Sequence, residues 1–215
     1  MLNYVEYGKE NKYDDDIFFQ KYSQMSRSQQ GLAGAGEWET LRKLLPDFKD
    51  KRVLDLGCGY GWHCIYAMEH GASSVVGVDI SHKMLEVAKE KTHFPQVEYK
   101  CCAIEDVEFP EESFDVILSS LAFHYVADYE ILVKKIYRIL KSGGKLVFTV
   151  EHPVFTAYGT QDWYYNEKGE ILHFPVDNYY YEGKRTAVFL GEKVTKFHRT
   201  LTTYLNTLLS NSFII

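Results

Sequence analysis

The chain has 215 residues, of which 46% are hydrophobic and 25% are charged, a balance that supports one domain with a substantial core and excludes a disordered or collagen-like chain. Its formal net charge is −6 and it contains no basic run, so a nucleic-acid partner is not expected. The N-terminal sequence lacks the apolar core of a signal peptide, and no uncharged apolar stretch of about 18 residues occurs, so neither export nor a membrane partner is expected.

The first 50 residues are mainly polar. Their pattern predicts a short helix and a loop over 14–30, a flexible stretch over 32–36, and a helix over 37–45 that leads into the first strand. This segment is too polar to contribute much to a core, so it is expected to lie outside the main layers of the domain.

Residues 51–151 alternate between strand-like and helix-like segments. Short apolar runs rich in β-branched residues predict strands buried on both faces of a parallel sheet, at 52–56, 75–79, 97–102, 114–119 and 145–150. Helices are predicted between them, one over 62–70, one capped by Ser81 and one capped by Asp128. Repeated strand–helix–strand units predict an α/β layer fold with right-handed crossovers.

The pattern changes after the fifth predicted strand. Residues 152–197 are rich in aromatic, Gly and turn residues, and six of the 17 tyrosines lie between residues 158 and 181. Two interpretations of this segment stay open: a cover over a substrate, or a β-hairpin whose tyrosines pack on the sheet or form a dimer contact. A final helix is predicted over 198–210 from apolar residues at helical spacing.

Cysteine usage predicts a cytoplasmic protein. The four cysteines are Cys58, Cys64, Cys101 and Cys102, and none of them forms a C-x-x-C pair. The adjacent Cys101 and Cys102 are poor partners for a disulfide framework. We therefore expect reduced thiols, with neither a metal site nor a redox switch.

The strongest functional signal is the glycine-rich turn D-L-G-C-G-Y-G at 55–61, between the first predicted strand and helix. Its glycines let a ligand approach the backbone, and the helix N-terminus offers free N–H groups. A dinucleotide loop needs a third glycine where this chain has Trp62, and a Walker loop needs G-K-[ST], so both are disfavoured. Asp79, 18 residues after Gly61 at a predicted strand end, can accept hydrogen bonds from both hydroxyls of a ribose.

These motifs and their order resemble a known family. Four segments look like the successive motifs of class I S-adenosylmethionine-dependent methyltransferases. They are D-L-G-C-G-Y-G, V-V-G-V-D-I-S, F-P-E-E-S-F-D-V-I and L-K-S-G-G-K-L-V-F. Four further segments resemble those of a bacterial branch of the small-molecule-type (type 11) group and extend the similarity over nearly the whole chain. They are G-A-G-E-W, S-S-L-A-F-H-Y, E-H-P and H-R-T-L-T-T-Y-L-N. The resemblance implies a Rossmann-like doubly wound sheet, mostly parallel.

The resemblance also implies S-adenosyl-L-methionine as cofactor, S-adenosyl-L-homocysteine as product and a small-molecule substrate. Asp55 is implied to bind the cofactor's amino group and Asp79 its ribose. The other implied contacts are Gly57, Cys58, Gly59 and Gly61 at the methionine part, Ile80, Met84, Ala103 and Ile104 at the adenine, and Ser119 and Leu121 beside the methionine chain. Many relatives carry Asp where this chain has Ala103, so backbone groups, Glu105 or Asp106 would have to replace that carboxylate.

Methyl transfer from a sulfonium is an in-line displacement in which the protein mainly aligns the partners. A base is needed only if the nucleophile must lose a proton. The candidates are His124, Glu151 and His152, which follow the fourth and fifth predicted strands at the carboxyl edge of the sheet. Each of them could instead be a packing residue, and no metal is expected.

The implied domain organisation has four parts. These are a helical lid over 1–50, a cofactor-binding core over 51–151, a substrate-covering insertion over 152–197, and a final helix with the start of a sixth strand over 198–215. In the lid, the residues expected to fold over the cofactor are Tyr22, Met25, Ser26 and Arg27.

The family's sheet continues after a sixth strand with an antiparallel seventh, so the last strand is expected to be missing from this chain. A monomer or a homodimer is expected. Three functions stay open: an active methyltransferase, a protein that binds S-adenosylmethionine without catalysis, and another nucleoside- or dinucleotide-binding enzyme.

Overall fold

The computed structural model describes Lys9 and residues 11–215. Its central sheet consists of β1 (Arg52–Leu56), β2 (Ser74–Asp79), β3 (Val97–Cys101), β4 (Phe114–Ser120) and β5 (Leu140–Thr149). All neighbouring pairs are parallel, in the order β3-β2-β1-β4-β5. This confirms the predicted Rossmann-like α/β fold. The chain changes direction across the sheet between β1 and β4, which is where open α/β sheets bind ligands.

An α-helix follows each of β1, β2 and β4 and leads to the next strand. These helices are α4 (Trp62–Glu69), α5 (His82–Lys91) and α6 (Tyr129–Ile139). The Ser81 hydroxyl accepts a hydrogen bond from the Met84 N–H at 3.1 Å, and the Asp128 carboxylate accepts one from the Ile131 N–H at 2.9 Å, so both predicted caps are confirmed. No helix of the described part of the chain is long and apolar enough to cross a membrane.

The sheet is covered on both faces, because alternate residues of each strand point to opposite sides. Leu54 and Ile117 face the side on which α6 packs, with Ile136 fully buried against them. Val53 and Val116 face the other side, against α4. Burial on both faces explains why the central strands read as continuous apolar runs rather than as alternating ones.

The structure moves three predicted boundaries. The helix predicted over 37–45 is only one turn long, α3 (Trp38–Leu41). The fifth strand begins at Leu140, not at residue 145, because Leu140 pairs with Phe114 of β4. The register then shifts, so that Lys145 pairs with Val116. The last helix, α8 (Leu201–Ser210), is capped by Thr200 and begins after a strand that includes His198. The described residues 211–215 form a turn and irregular chain without a strand.

The aromatic segment after β5 contains helix α7 and two antiparallel hairpins. Its elements are α7 (Pro153–Ala157), β6 (Tyr164–Tyr165), β7 (Ile171–His173), β8 (Gly183–Phe189) and β9 (Glu192–His198). The hairpin of β8 and β9 is regular over seven residue pairs, with Ala187 opposite Val194. Tyr180 and Tyr181 are exposed and do not pack on the sheet.

The N-terminal segment folds onto this second hairpin. It comprises a 3₁₀ turn (Lys12–Asp14), α1 (Asp16–Ser23), α2 (Ser26–Gln29) and a second 3₁₀ turn (Gly31–Gly34). Phe18 of α1 is fully buried against Ala187 and Val194 of the hairpin. The Lys21 ammonium also donates a hydrogen bond to the Leu190 carbonyl at 3.0 Å. We refer to residues 11–41 and 183–198 together as the cover.

Candidate active site

The turn between β1 and α4 is shaped by glycines in the left-handed region. Gly57, Gly59 and Gly61 have φ values of 77°, 53° and 75°. A side chain at Gly57 would be strained there, and its Cβ would lie 2.5 Å from the Cβ of Ala122. The N–H groups of Gly57 and Cys58 both donate to the Val78 carbonyl, at 2.8 and 2.9 Å. The turn is therefore fastened to β2 and lets Gly57 and Gly59 form part of a cavity wall.

Asp79, the last residue of β2, faces the same cavity. Its two carboxylate oxygens accept hydrogen bonds from the N–H groups of Gly59 and Ser81, each at 2.9 Å. Burial raises the pKa of Asp79 to about 6, although the bonds from Ser81 and Gly59 oppose that shift. At neutral pH the carboxylate is mostly ionised, and its unused lone pairs can accept hydrogen bonds from a ligand.

The cavity has a volume of about 310 Å³ and lies beyond the carboxyl ends of β1, β2 and β4. Eight residues predicted as cofactor contacts are in its wall: Gly57, Gly59, Asp79, Ile80, Met84, Ala103, Ile104 and Leu121. Glu105, one of the two predicted substitutes for the missing carboxylate, is also in the wall. Asp106 is not, and its carboxylate pairs with Lys9. The structure therefore combines a carboxylate, a side-chain-free turn and an apolar surface in one place.

Four predicted contacts lie outside this wall. Asp55 is buried beneath the turn, where it accepts a hydrogen bond from the Cys64 thiol at 3.5 Å, and burial raises its pKa to about 7. One of its oxygens has no hydrogen-bond partner in the described part of the chain. The Ser119 hydroxyl donates to the Leu56 carbonyl at 2.8 Å. Gly61 packs against Tyr99, and Cys58 lines a second, smaller cavity.

This second cavity, of about 70 Å³, adjoins the first and shares Gly57 and Gly59 with it. Arg27 lines both cavities and donates to each carboxylate oxygen of Glu37 at 2.7 Å. The Ser120 hydroxyl donates to the same carboxylate at 3.3 Å. The sequence predicted Arg27 at the ligand but did not identify Glu37.

The N-terminal segment reaches the main cavity as well. Tyr22, Met25 and Arg27 are in its wall, whereas the side chain of Ser26 is exposed and lies outside it. Tyr13, which was not predicted, also lines the cavity. Three of the four residues expected to fold over the cofactor are therefore placed beside the predicted cofactor contacts.

The structure brings two of the three candidate bases together. His124 and Glu151 both line the main cavity, with His124 Nε2 3.9 Å from Glu151 Oε1. The Glu151 N–H donates to His124 Nδ1 at 3.5 Å. Burial lowers the pKa of His124 to about 4, so its ring is neutral at pH 7. His152 lies outside the cavity wall, since its exposed ring caps α7 by accepting from the Val154 N–H at 3.2 Å.

Two polar residues at this end of the cavity were missed by the sequence interpretation. Lys196 of β9 is buried, and its ammonium donates to Glu151 Oε1 at 2.5 Å and to Gln161 Oε1 at 2.8 Å. Gln161 in turn donates to Glu151 Oε2 at 2.7 Å. Lys196 shares its strand face with the buried Val194 and His198. A lysine in the apolar register of a strand is the signal that could have indicated a buried acidic partner.

No metal site accompanies these groups: within Lys9 and residues 11–215, no cluster of three or more His, Cys, Asp or Glu is arranged to hold an ion. The polar groups of the cavity are instead carboxylates, a neutral imidazole and paired cations. Such a wall is suited to a ligand that combines hydroxyl groups with an apolar body.

Known proteins share this sequence and architecture. A family model described as a methyltransferase domain matches residues 54–148. A crystal structure from Listeria monocytogenes, described as an S-adenosylmethionine-dependent methyltransferase, is 58% identical with a TM-score of 0.81 over 84% of each chain. A similarly described structure from Mesorhizobium loti is 41% identical with a TM-score of 0.80, over 86% of this chain and 84% of that one. An uncharacterised protein of Haemophilus influenzae is 36% identical over 94% of this chain and 82% of its own length.

Proposed function

Because the chain belongs to the class I S-adenosylmethionine-dependent methyltransferases, we propose that it transfers the methyl group to a small-molecule acceptor inside the main cavity. One observation carries this proposal: a single cavity of about 310 Å³ joins the glycine turn and Asp79 to the pair of His124 and Glu151. The first group suits a nucleoside and the second suits an acceptor, so both reactants would meet in the space between them.

The residues of the wall fit the cofactor. Asp79 would accept hydrogen bonds from the ribose hydroxyls, while Gly57 and Gly59 would admit the methionine part close to the backbone. Ile80 and Met84 would pack against the adenine. The remaining proposed wall contacts are Ala103, Ile104 and Leu121. We assign Asp55, Cys58, Gly61 and Ser119 to shaping the turn from beneath or beside it, because none of them is in the main wall.

Glu105 is the proposed substitute for the carboxylate that many relatives carry at the position of Ala103. It lines the cavity next to Ile104, and burial raises its pKa above the ordinary value. Asp106 is engaged by Lys9 instead. Glu105 would therefore accept from the adenine amino group, alone or with neighbouring backbone carbonyls.

S-adenosylmethionine supplies, when bound, a methyl group already activated by its sulfonium. The work left to this chain is to bind and orient the acceptor and to exclude water. We assign that work to His124 and Glu151, which face the cavity, and not to His152, which caps α7. His124 is neutral at pH 7, and a pKa of about 4 makes its ring a weak base, so the role assigned to it is to orient the acceptor.

The cover is proposed to close over both ligands. Its N-terminal part places Tyr13, Tyr22, Met25 and Arg27 in the wall, and its hairpin contributes Phe189. The buried contact of Phe18 with Ala187 and Val194 joins the two parts. The predicted lid of residues 1–50 and the insertion of residues 152–197 would therefore act as one unit. Positions 1–8 and 10 of that lid lie outside the described residues.

Isothermal calorimetry with S-adenosylhomocysteine, S-adenosylmethionine and NAD tests the cofactor site. The first two are expected to bind and NAD is not. Asp79→Asn is expected to weaken S-adenosylhomocysteine binding by about 10- to 100-fold, since a hydrogen bond to a charged group is worth about 1.5–3 kcal/mol. Asp106→Asn, at an exposed carboxylate outside the wall, is the matched control. Equal affinity of Asp79→Asn and the wild-type protein would refute the assigned site.

Catalysis is tested separately, by incubating the protein with S-adenosylmethionine and a metabolite extract. Formation of S-adenosylhomocysteine that depends on the extract supports an active methyltransferase. Tight cofactor binding without any turnover would favour the alternative of a non-catalytic binding protein.

A further inference from the structure

The ion pair of Glu151 and Lys196 presents its carboxylate, and not its ammonium, to the main cavity. The Glu151 side chain is 28% exposed and lines the main cavity, whereas the Lys196 side chain is 3% exposed and is not in the cavity wall. Lys196 lies behind the carboxylate, 5.6 Å from the centre of the Phe189 ring. The cavity therefore meets the negative member of the pair, and the protein encloses the positive one.

Gln161 completes the support of this carboxylate. One Glu151 oxygen accepts from Lys196 at 2.5 Å and the other accepts from Gln161 at 2.7 Å, while Gln161 also accepts from Lys196 at 2.8 Å. These three side chains form a closed set of hydrogen bonds that fixes the plane of the carboxylate. They come from the ends of β5 and β9 and from the loop after α7, so only the assembled fold creates the set.

Glu151 retains capacity to bind a ligand. A carboxylate has about four lone-pair sites, and Lys196 and Gln161 occupy two of them. His124 Nε2, at 3.9 Å, is beyond hydrogen-bond distance. At least one acceptor site on this partly exposed group is therefore available to a donor in the cavity.

The ammonium of Lys196 and the two hydrogen bonds on the Glu151 oxygens keep Glu151 ionised at neutral pH. Desolvation raises the pKa of Glu151, but the charge of Lys196 and the hydrogen bonds from Lys196 and Gln161 hold that pKa below its ordinary value. The cations of the cavity wall are paired with other carboxylates, Lys9 with Asp106 and Arg27 with Glu37. Outside the wall, the Arg199 guanidinium donates to the carbonyls of Phe123, Val126 and Ala127. No donor of Arg199 or Lys196 is presented to the cavity wall, which includes neither residue.

We propose that Glu151, held in place by the positioning residues Lys196 and Gln161, selects the acceptor: the acceptor presents a hydroxyl or amine donor to this carboxylate, and molecules with a carboxylate at that position are rejected. The reason is that a donor gains a charge-assisted hydrogen bond, whereas an anion meets a like charge. The rings of Tyr13, Tyr125 and Phe189 in the same wall supply surface for an apolar or aromatic body. This inference rests on the proposed function, because it takes this end of the cavity as the acceptor site.

Three probes of similar shape test the selection: benzylamine, benzyl alcohol and benzoate, each titrated by NMR into protein saturated with S-adenosylhomocysteine. The amine and the alcohol are expected to bind, and benzoate is expected to bind at least about tenfold more weakly because like charges repel at short range. Glu151→Gln, which keeps the shape and removes the charge, is expected to abolish the discrimination against benzoate.

The positioning role of Lys196 is tested with two variants. Lys196→Met should reduce the discrimination against benzoate, and Lys196→Arg, which keeps the positive charge, should retain most of that discrimination. Gln161→Leu removes the second support without leaving a buried charge unpaired, and is expected to reduce discrimination even if Lys196→Met fails to fold. Lys193→Met, at an exposed position of the same strand, is the control and should behave as wild type.

Benzoate binding as tightly as benzylamine would overturn the inference, as would no binding of benzylamine and benzyl alcohol at their solubility limits. Unchanged discrimination in both Lys196→Met and Gln161→Leu would overturn the positioning role. Failure of S-adenosylhomocysteine to bind the wild-type protein would instead count against the proposed function, so the two failures are distinguishable.

Discussion

The two ends of the main cavity are built in different ways. The proposed cofactor end comes from successive turns after β1 to β4, and Asp79 is held there by two backbone N–H groups. The proposed acceptor end is assembled from the 3₁₀ turn at Tyr13, from Glu151 after β5 and from the hairpin of β8 and β9. There, Glu151 is held by side chains of two other segments, Gln161 of the loop after α7 and Lys196 of β9. The difference implies that the first end forms with the sheet, while the second forms only when the cover docks.

Phe18→Ala is expected to have the largest effect of the variants, because it removes a side chain that docks the cover, on which the proposed acceptor end depends. The phenyl ring is fully buried between α1 and the hairpin, and truncation of a buried Phe to Ala costs about 3–5 kcal/mol. The loss would be measured as the free energy of unfolding in urea. Hydrogen exchange should show faster opening of residues 183–198 than of β1 and β2. Ile17→Ala, on the same helix at 60% exposure, is the control. A loss no larger than that of Ile17→Ala would contradict the docking role.

Gly57→Ala tests the cofactor end alone. The left-handed conformation costs a non-glycine residue about 1–2 kcal/mol, and a Cβ 2.5 Å from that of Ala122 displaces the turn from the conformation that admits the ligand. If a penalty of this size is passed to binding, S-adenosylhomocysteine affinity falls by about 5- to 30-fold. Calorimetry measures the loss. Gly143→Ala is a matched control, because Gly143 has a φ of 73° but a Cβ there would meet no atom within 4 Å. If both variants bind S-adenosylhomocysteine equally well, the turn does not contact the ligand as proposed.

The pH dependence of S-adenosylhomocysteine binding sharpens the comparison. Burial raises the pKa of Asp79 to about 6, so the carboxylate gains a proton and loses its charge as the pH falls through that value. Affinity should be level above this pH and fall below it, with a limiting slope of about tenfold per pH unit. Glu151 should impose no such step there, since its pKa lies below the ordinary value.

Two variants test whether Asp79 is the group responsible for this fall in affinity. Asp79→Asn is expected to remove it, whereas Asp55→Asn should retain it, because Asp55 is buried beneath the turn and outside the cavity wall. A wild-type profile that stays level well below pH 6 would show that Asp79 is not the group that titrates.

Asp14→Ala is expected to have the smallest effect and to act on the attachment of the cover. The Asp14 carboxylate accepts from the Ser81 hydroxyl at 2.6 Å and from the Lys83 N–H at 3.1 Å, and so ties the first 3₁₀ turn to the start of α5. Loss of such a capping interaction costs about 0.5–2 kcal/mol. Limited proteolysis should cut the N-terminal segment faster in the variant.

Asp16→Ala provides the matched control for the attachment. Asp16 pairs with the neighbouring Lys83, but its side chain is 95% exposed, and exposed ion pairs contribute little. Equal cleavage of Asp14→Ala and wild-type protein would show that this contact does not hold the cover.

The parts predicted well from the sequence depend on neighbours along the chain. The Ser81 cap bonds to Met84, and the glycines at 57, 59 and 61 set the turn by their own backbone conformation. Two of the helix and strand boundaries that differ from the prediction are those where pairing with another strand competes with the local helical preference. Leu140 pairs with Phe114 of β4, so the fifth strand begins earlier than predicted, and His198 pairs with Gly183 instead of starting a helix. Local preference was overruled there by strand pairing.

The amino-acid sequence by itself determined the α/β order, the glycine turn and the strand-end acid Asp79, because apolar periodicity and backbone preference act over a few residues. Only the tertiary structure decided that Lys196 supports Glu151, that Glu37 receives Arg27 and that Phe18 joins α1 to the hairpin. The last of these contacts links residues about 170 positions apart, and no local pattern encodes which distant surfaces meet when the chain closes. The residues of the proposed cofactor end, and His124 and Glu151 of the proposed acceptor end, could therefore be named from the sequence, whereas the side chains that hold Glu151 in place were identified only in the folded structure.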